Sequence, residues 1–111
     1  MDIRYQNGKI YIIYSIDSPD SLPYYGSTIQ TLNQRKKHHE SEYFGYLRGV
    51  STYISSYEVI KRGNYDIKLV VDYPCGSKKE LERRGGEFIR KNTCVNIRTE
   101  GGSSKNKDQG D

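Results

Sequence analysis

Two short segments rich in aromatic and β-branched residues most constrain the fold of this 111-residue chain. Lys9–Ser15 reads KIYIIYS and Tyr24–Thr28 reads YYGST, and both compositions are typical of β-strands. Residues 17–23 between them, DSPDSLP, are turn formers, and their two prolines would interrupt a hydrogen-bonded ladder. Because a short connection keeps consecutive strands together, we predict that the two segments pair as an antiparallel hairpin.

Two helices are predicted to follow this hairpin. Residues 31–42 are polar and basic and contain neither Gly nor Pro, which favours a helix. Three residues would share one face of it at helical spacing, namely Leu32, Arg35 and His39. A shorter helix is predicted over residues 54–62 and would end at Gly63.

A third strand and a third helix are predicted in the C-terminal part of the chain. Residues 65–73 read YDIKLVVDY, a pattern in which alternate apolar residues would share one face: Ile67, Leu69 and Val71. Ser77 and Glu80 have the spacing of a capping box, in which each side chain bonds the other residue's backbone. A helix is therefore predicted over residues 78–92, and its buried stripe would contain Leu81, Phe88 and Ile89.

The elements follow one another in the order β-β-α-α-β-α. This order predicts an α+β fold with a small three-stranded antiparallel sheet flanked by helices. The length allows one domain, which we assign to residues 1–98. Residues 99–111 are mostly small and polar and bury too little apolar surface to order themselves. They are predicted to form a disordered tail or a linker.

Charge and cysteine content narrow the class of protein. The net charge of +4 and the pI near 9.0 favour a polyanionic partner, although many basic proteins bind no nucleic acid. No apolar run approaches the ~20 residues of a membrane helix, and residues 1–7 lack the apolar stretch of a signal peptide. We therefore predict a soluble, intracellular protein without a membrane partner. Cys75 and Cys94 have no metal-binding spacing and are predicted to be reduced thiols.

Several positions, taken together, resemble the GIY-YIG endonuclease family. Residues 9–11, KIY, stand where that family has its GIY triplet, and residues 24–26, YYG, stand where it has YIG. Arg35, His39 and Asn96 follow at matching positions. The resemblance spans roughly residues 8–97 and is greatest to the small stand-alone members common in large DNA viruses.

The resemblance implies catalytic roles for five residues: Tyr11, Tyr24, Arg35, His39 and Asn96. One of the two tyrosines would help to position or deprotonate the attacking water, which for a phenol needs a nearby cation. Arg35 would hold phosphate oxygens with its planar guanidinium, and His39 would contact phosphate or shuttle a proton. Taken singly, four of these residues have a structural alternative: core packing for the two tyrosines, a solvated helix face for Arg35 and a turn for Asn96.

Basic residues on two of the predicted helices could line one groove that binds the DNA backbone. They are Lys36, Lys37, His38, Lys78, Lys79, Arg83 and Arg84, with Arg90 and Lys91 further along. Each cluster is equally compatible with solvated helix surface.

One position departs from the family pattern. The family's last helix carries a Glu that binds a single divalent metal, and here that position is Gly85, four residues after Leu81 and four before Ile89. Glu87 is an unlikely substitute because two residues along an α-helix turn a side chain by about 200°. The resemblance therefore implies Mg²⁺ or Mn²⁺ as cofactor, but the chain lacks the ligand expected to bind it.

The sequence thus leads to a primary expectation and two alternatives. The primary expectation is a metal-dependent DNA endonuclease that hydrolyses phosphodiester bonds and is inactive or weak because of Gly85. The first alternative is a DNA-binding module for branched or nicked DNA that does not cut. The second is a small RNA- or protein-interaction domain. DNA is the expected partner in the first two, and a monomer is favoured.

Overall fold

The computed structural model describes residues 2–96 of the chain. After a short 3-10 helix at Ile3–Asn7, which the sequence did not predict, come β1 (Lys9–Ser15), β2 (Tyr24–Thr28), α1 (Leu32–Leu47), α2 (Tyr57–Ile60), β3 (Tyr65–Asp72) and α3 (Lys78–Lys91). The predicted α+β class and element order are confirmed. The predicted domain boundary at residue 98 and the tail at 99–111 lie outside the described residues.

The sheet is antiparallel with strand order β2-β1-β3, so β1 is central. Successive side chains of a strand point to opposite faces, and β1 is buried on both. Tyr11 and Ile13 pack with Val59 of α2 on one face. Ile10 packs with Leu81 of α3 on the other. The helices therefore cover the two faces of the sheet separately.

A β-bulge in β3 makes one sequence prediction wrong. Leu69 pairs with Tyr11, but Val71 pairs with Ile10, so Val70 is an extra residue opposite β1. Directly opposed residues share a face, and Tyr11 and Ile10 point to opposite faces. Ile67 and Leu69 therefore lie on the face that α1 and α2 cover, whereas Val71 lies on the α3 face.

The first two helices differ in length from their predictions. Thr31 caps α1 through a reciprocal capping box with Gln34, and the helix continues to Leu47 rather than residue 42. Its last turns are held by aromatic contacts, with Tyr43 and Tyr46 packed against Tyr57 at ring-centroid distances of 5.3 and 5.1 Å. The second helix is a single turn, and the residues before it form bonded turns instead.

Helix α3 begins as predicted, with one difference at its cap. The Ser77 hydroxyl accepts from the Glu80 N–H (3.2 Å), but the Glu80 carboxylate accepts from the Gly76 N–H (2.9 Å) instead of from Ser77. Leu81 and Gly85 are buried along the predicted stripe. Phe88 is half-buried and stacks on Tyr25 of β2, with ring centroids 6.1 Å apart. The contacts of α3 with β2 fix the spacing between these two elements.

Two further predictions can be compared with the structure. Cys75 and Cys94 are both free thiols, as expected. Within residues 2–96, none of the helices is long and apolar enough to cross a lipid bilayer.

Candidate functional site

A cleft of about 290 Å³ lies where β2, α1 and α3 meet. Its walls contain three of the predicted catalytic residues, Tyr24, Arg35 and Asn96, and also Gly85, the position at which the metal ligand was expected. These residues come from three elements and from the segment after α3. The fold therefore brings together positions that are up to 72 residues apart in the sequence.

Gly26 lets the Tyr11 ring lie beneath this cleft. The two residues are directly opposed in the β1–β2 ladder. A Cβ atom at position 26 would overlap the Cζ and Oη atoms of Tyr11. Glycine is thus required here because the Tyr11 ring crosses over the backbone of β2.

A chain of hydrogen bonds connects Arg35 to the interior through Tyr11. The Arg35 Nε–H donates to the Tyr11 hydroxyl (3.0 Å), which also bonds the His39 Nε2 (2.7 Å). The other His39 nitrogen, Nδ1, bonds the Ser56 hydroxyl at 3.0 Å. Tyr11, His39 and Ser56 are almost completely buried. Tyr11 and His39 therefore lie below the cleft and support Arg35 from behind.

Burial keeps both inner groups neutral. Desolvation raises the pKa of Tyr11, and the nearby Arg35 charge only partly offsets it. Burial, assisted by the charges of Arg35 and His38, lowers the pKa of His39 to about 3. In the neutral tautomer that satisfies every partner, His39 Nε2 accepts a hydrogen bond from the Tyr11 hydroxyl, and its Nδ1–H donates to the Ser56 hydroxyl.

This geometry distinguishes the two tyrosines. Tyr11 is fully buried and neutral, so it has neither the access nor the lowered pKa that the water-activating role requires. Tyr24 lines the cleft, and its ring meets the edge of His39 at a centroid distance of 5.5 Å. Of the two, Tyr24 is the one placed to meet a ligand. His39, with both nitrogens bonded inside, is not placed to touch phosphate as the sequence suggested.

Asn96 attaches the end of the described chain to β2. Its Oδ1 accepts from the Tyr25 N–H (2.9 Å), and its Nδ2 donates to the Tyr25 carbonyl (2.8 Å). The adjacent Val95 N–H donates to the Pro23 carbonyl (2.9 Å). The Asn96 side chain thus acts as a neighbouring strand would, and it shapes the wall of the cleft instead of forming a turn.

Position 85 faces the cleft but offers no metal ligand. A Cβ atom there would lie 3.6 Å from the Cβ and Oγ of Ser27 and 3.9 Å from the Cδ1 of Ile10, which is ordinary contact. Glu87 bonds Arg84 at 2.7 Å beside another cavity, so it is not a substitute. The described residues contain no group of three or more His, Cys, Asp or Glu that could hold a metal. Position 85 thus lacks the carboxylate that the family resemblance led us to expect.

The basic residues divide among different surfaces, so the expectation of one common groove is only partly met. Arg35, His38 and Lys78 line a cavity of about 550 Å³ beside the cleft. Lys79 and Arg83 line a smaller one of about 250 Å³, together with Arg90. These two cavities extend the cleft along α3.

Three other predicted DNA contacts lie outside that surface. Lys36 pairs with Asp66 (3.4 Å) and lies over the Tyr65 ring, on the side of β3. Arg84 lies over the Phe88 ring at 4.8 Å and pairs with Glu87. Lys37 is exposed and lines none of these cavities. Helical spacing alone could not show that Lys36 and Arg84 lie outside the groove. The rings and carboxylates that engage them come from β3 or from the next turn of α3.

Two residues that line the cleft, and one that hydrogen-bonds His39 beneath it, were not predicted from the sequence. Ser27 lies opposite position 85, and Glu82 lines the cleft and both cavities beside it. Glu82 was detectable, because a residue three before Gly85 shares its helix face. Ser56 supports His39 from a neighbouring turn, and no local pattern indicated that contact.

Comparison of the chain with protein-family models, curated proteins and solved structures gives no match.

Proposed function

We propose that this chain is a GIY-YIG-type endonuclease domain that binds DNA and, with Gly85 in place of an acid, cuts it weakly or not at all. The observation that carries this proposal is the guanidinium of Arg35, held at a polar cleft by a buried tyrosine. The proposal is further supported by the position of Gly85 in the same cleft, four residues from Leu81 and four from Ile89.

Arg35 is oriented before any ligand arrives. Tyr11 takes its Nε–H, so the two terminal amino groups form the edge that a phosphate would engage. A guanidinium keeps its charge at all relevant pH values and matches two phosphate oxygens at once. Because Tyr11 is itself fixed by His39, little side-chain freedom remains to be lost on binding.

Tyr24 is the second group that would act on the phosphodiester. It projects from β2 into the cleft on the same sheet face as Tyr11. A phenol hydroxyl beside an Arg-bound phosphate can orient a water molecule for in-line attack. A metal bound by an acid at position 85 would stabilise charge on the phosphoryl oxygens. The present chain has no acid there, so binding without efficient cleavage is the expected behaviour.

The decisive experiment is Gly85→Glu. The Cβ at this position meets only ordinary contacts, so the variant should fold, and its carboxylate would face the cleft. We expect Mg²⁺-dependent nicking or cutting of DNA to rise by about a hundredfold to ten-thousandfold, since a catalytic metal contributes several kcal/mol. Plasmid relaxation and cleavage of labelled duplex, branched and nicked DNA would measure it.

The matched control is Gly85→Gln, which has nearly the same shape and no charge. It should remain inactive, and Gly85→Glu should lose its activity when Arg35→Ala is added. A Gly85→Glu protein that is folded and still inert on all these substrates with Mg²⁺ and Mn²⁺ would refute the nuclease proposal.

The non-cutting DNA-binding module has one specific observation in its favour, the glycine at position 85 itself. It differs from the first proposal in the same experiment, because a dedicated binding module would gain no cleavage from Gly85→Glu. Both proposals require that Arg35→Ala weakens DNA binding in fluorescence anisotropy. Unchanged binding by that variant would favour an RNA- or protein-interaction domain instead.

A further inference from the structure

We propose that this chain forms a symmetric dimer in which β3 pairs antiparallel with β3 of a second copy, with the pair centred on Ile67. The pairing would join two sheets into one six-stranded sheet, three strands from each copy. This inference goes beyond the proposed function and does not depend on it. The cleft is lined by residues from other parts of the chain and would remain open in the dimer.

The two edges of the sheet differ in how they are covered. The outer strands are β2 and β3. Asn96 bonds the N–H and the carbonyl of Tyr25 on β2. Within residues 2–96, no strand lies outside β3, and its residues from Lys68 to Asp72 are exposed. An uncovered edge strand offers its backbone N–H and carbonyl groups to another strand. The edge open to a partner is therefore β3.

The hydrogen bonds to β1 determine which backbone groups of β3 point outward. The Ile16 N–H donates to the Asn64 carbonyl at 2.9 Å, so these two residues form a hydrogen-bonded pair of the ladder. Hydrogen-bonded and non-hydrogen-bonded pairs alternate in antiparallel sheets. Up to the bulge, the backbone groups that point away from β1 therefore belong to Tyr65, Ile67 and Leu69. The Ile67 N–H agrees with this direction, because it donates to the Asp66 carboxylate at 2.8 Å.

Charge selects one register for pairing two copies of this segment. In a symmetric antiparallel pair, one residue lies opposite its own copy. Centring the pair on Asp66 or on Lys68 would place identical charges directly opposite each other, which is unfavourable. Centring it on Ile67 places Asp66 of each copy opposite Lys68 of the other. This register is also the one in which all residues of the segment 65–69 are opposed.

The faces of the sheet match in this register. Asp66 opposes Tyr14 of β1, which points to the α3 face, and Lys68 lies over the same Tyr14 ring at 5.2 Å. The two charged side chains therefore project on one face. They would meet in non-hydrogen-bonded pairs, where opposed side chains are closest. On the other face, Leu69 of each copy would meet Tyr65 of the other, which gives an apolar contact on both sides of the centre.

Contacts within one copy make this pairing weak and dependent on concentration. Asp66 bonds the Ile67 N–H and also pairs with Lys36 at 3.4 Å. Pairing replaces the Asp66 carboxylate on that N–H with the Ile67 carbonyl of the second copy. The bulge at Val70 ends the regular ladder after Leu69 and keeps the paired segment short. The monomer favoured by the sequence would therefore be the form at low concentration.

The first test measures association of the full chain by sedimentation velocity from micromolar to millimolar concentration. The unmodified chain should shift from monomer to dimer. Asp66→Lys would oppose two pairs of cations, and Lys68→Asp would oppose two pairs of anions. Each variant should weaken dimerisation by at least about tenfold, because each change acts twice across the symmetry axis. Circular dichroism would check that both variants remain folded.

The second test mixes the two variants. In an equimolar mixture of Asp66→Lys with Lys68→Asp, every cross-strand pair of the mixed dimer joins opposite charges, so heterodimers should form. The double variant with both changes should regain the homodimer for the same reason. Loss of the contacts with Lys36 and Tyr14 cannot produce either recovery, because those contacts stay altered in the mixture. Asp72→Lys, which changes an exposed residue beyond the bulge, should dimerise as the unmodified chain does.

Three results would overturn the inference. The first is an unmodified chain that stays monomeric throughout the concentration range. The second is unchanged dimerisation of either single variant, and the third is a mixture that does not associate, since another surface would then be responsible. Arg35→Ala should dimerise normally even if it loses DNA binding. Failure of the dimer would therefore leave the proposed function standing, and failure of DNA binding would leave the dimer standing.

Discussion

The residues with the least freedom in this protein are those beneath the cleft. The Tyr11 ring packs against the backbone of Gly26, and its hydroxyl accepts a hydrogen bond from the Arg35 Nε–H and bonds the buried His39. Three contacts therefore restrict this one side chain. It fixes the guanidinium, and in the proposed function Tyr24 is the tyrosine that would contact the phosphodiester. Substitutions at these positions should therefore affect stability and ligand contact separately.

Two glycines test that packing. Gly26→Ala should destabilise the fold by about 2 kcal/mol, because its Cβ would displace a ring that is held by two hydrogen bonds. Gly85→Ala is the matched control. Its Cβ meets neighbours at 3.6 Å, so it should stabilise α3 by up to about 1 kcal/mol through helix propensity. Urea denaturation would measure both, and equal changes in the two variants would contradict the assigned role of Gly26.

His39 makes the stability of the fold depend on pH. Its pKa is lowered to about 3 from an ordinary value of 6.5, so between these values the unfolded chain binds a proton that the folded chain does not. The contribution of neutral His39 to the free energy of unfolding is therefore fully present above about pH 6.5, and it is lost as the pH falls from there toward about 3. At pH 5 the loss should be about 2 kcal/mol relative to pH 7.

Urea denaturation at pH 7 and pH 5 would measure this dependence. His39→Gln should be less stable at pH 7 but show a smaller difference between the two pH values. His38→Gln serves as the control, because His38 is exposed and pairs with Glu42 in the i,i+4 position. An unchanged difference in His39→Gln would mean that other groups cause the acid sensitivity.

Strand β2 is held on its outer side by Asn96, a residue that lies outside the helices and strands. It is an edge strand of the three-stranded sheet, and the amide of Asn96 satisfies the N–H and the carbonyl of Tyr25 on its outer side. An edge strand so covered is protected from pairing with other chains. The same contact places the segment after α3 against the cleft.

Asn96→Ala should release that segment from β2. The loss of two hydrogen bonds at a nearly buried site should cost about 1–3 kcal/mol. Hydrogen exchange at the Tyr25 amide should accelerate by more than exchange at β1 amides. Asn92→Ala is the control, since the Asn92 side chain bonds the Phe88 carbonyl at the end of α3. Full retention of Tyr25 protection in Asn96→Ala would contradict the role given to this side chain.

At the scale of the whole molecule, charge is distributed unevenly. The cleft and its two neighbouring cavities extend along α3 and bring five cationic side chains to one surface: Arg35, Lys78, Lys79, Arg83 and Arg90. Other basic residues are paired with acids or lie over rings elsewhere. A polyanion would therefore bind along α3 and not along the outer side of α1.

The salt dependence of DNA affinity tests this assignment. Each phosphate contact contributes about −0.9 to the log–log slope. Arg83→Ala, which removes a cation from the α3 surface, should reduce the magnitude of that slope by about 1. Lys36→Ala should leave it unchanged, because Lys36 is engaged with Asp66 and Tyr65. A flat dependence in the unmodified chain would exclude DNA as a partner.

Local patterns in the sequence determined the elements of this protein. The strand compositions at residues 9–15 and 24–28, the helix cap at Ser77 and the length of the chain lead to the observed order and α+β class. Hydrophobic periodicity and capping act within a few residues, so they can be recognised without knowing which elements are neighbours. The convergence of Tyr24, Arg35 and position 85 was also indicated, through the family resemblance.

Only the tertiary structure decided what each side chain of the site does. Tyr11 is buried beneath β2 and supports Arg35 from below. His39 is buried with hydrogen bonds on both ring nitrogens, and Lys36 pairs with Asp66 on the side of β3. The bulge at Val70 likewise places Val71 on the α3 face of the sheet, opposite to the face of Ile67 and Leu69. Each of these outcomes depends on a partner at least 15 residues away in the sequence, and such a partner alters solvation and charge without leaving any local pattern.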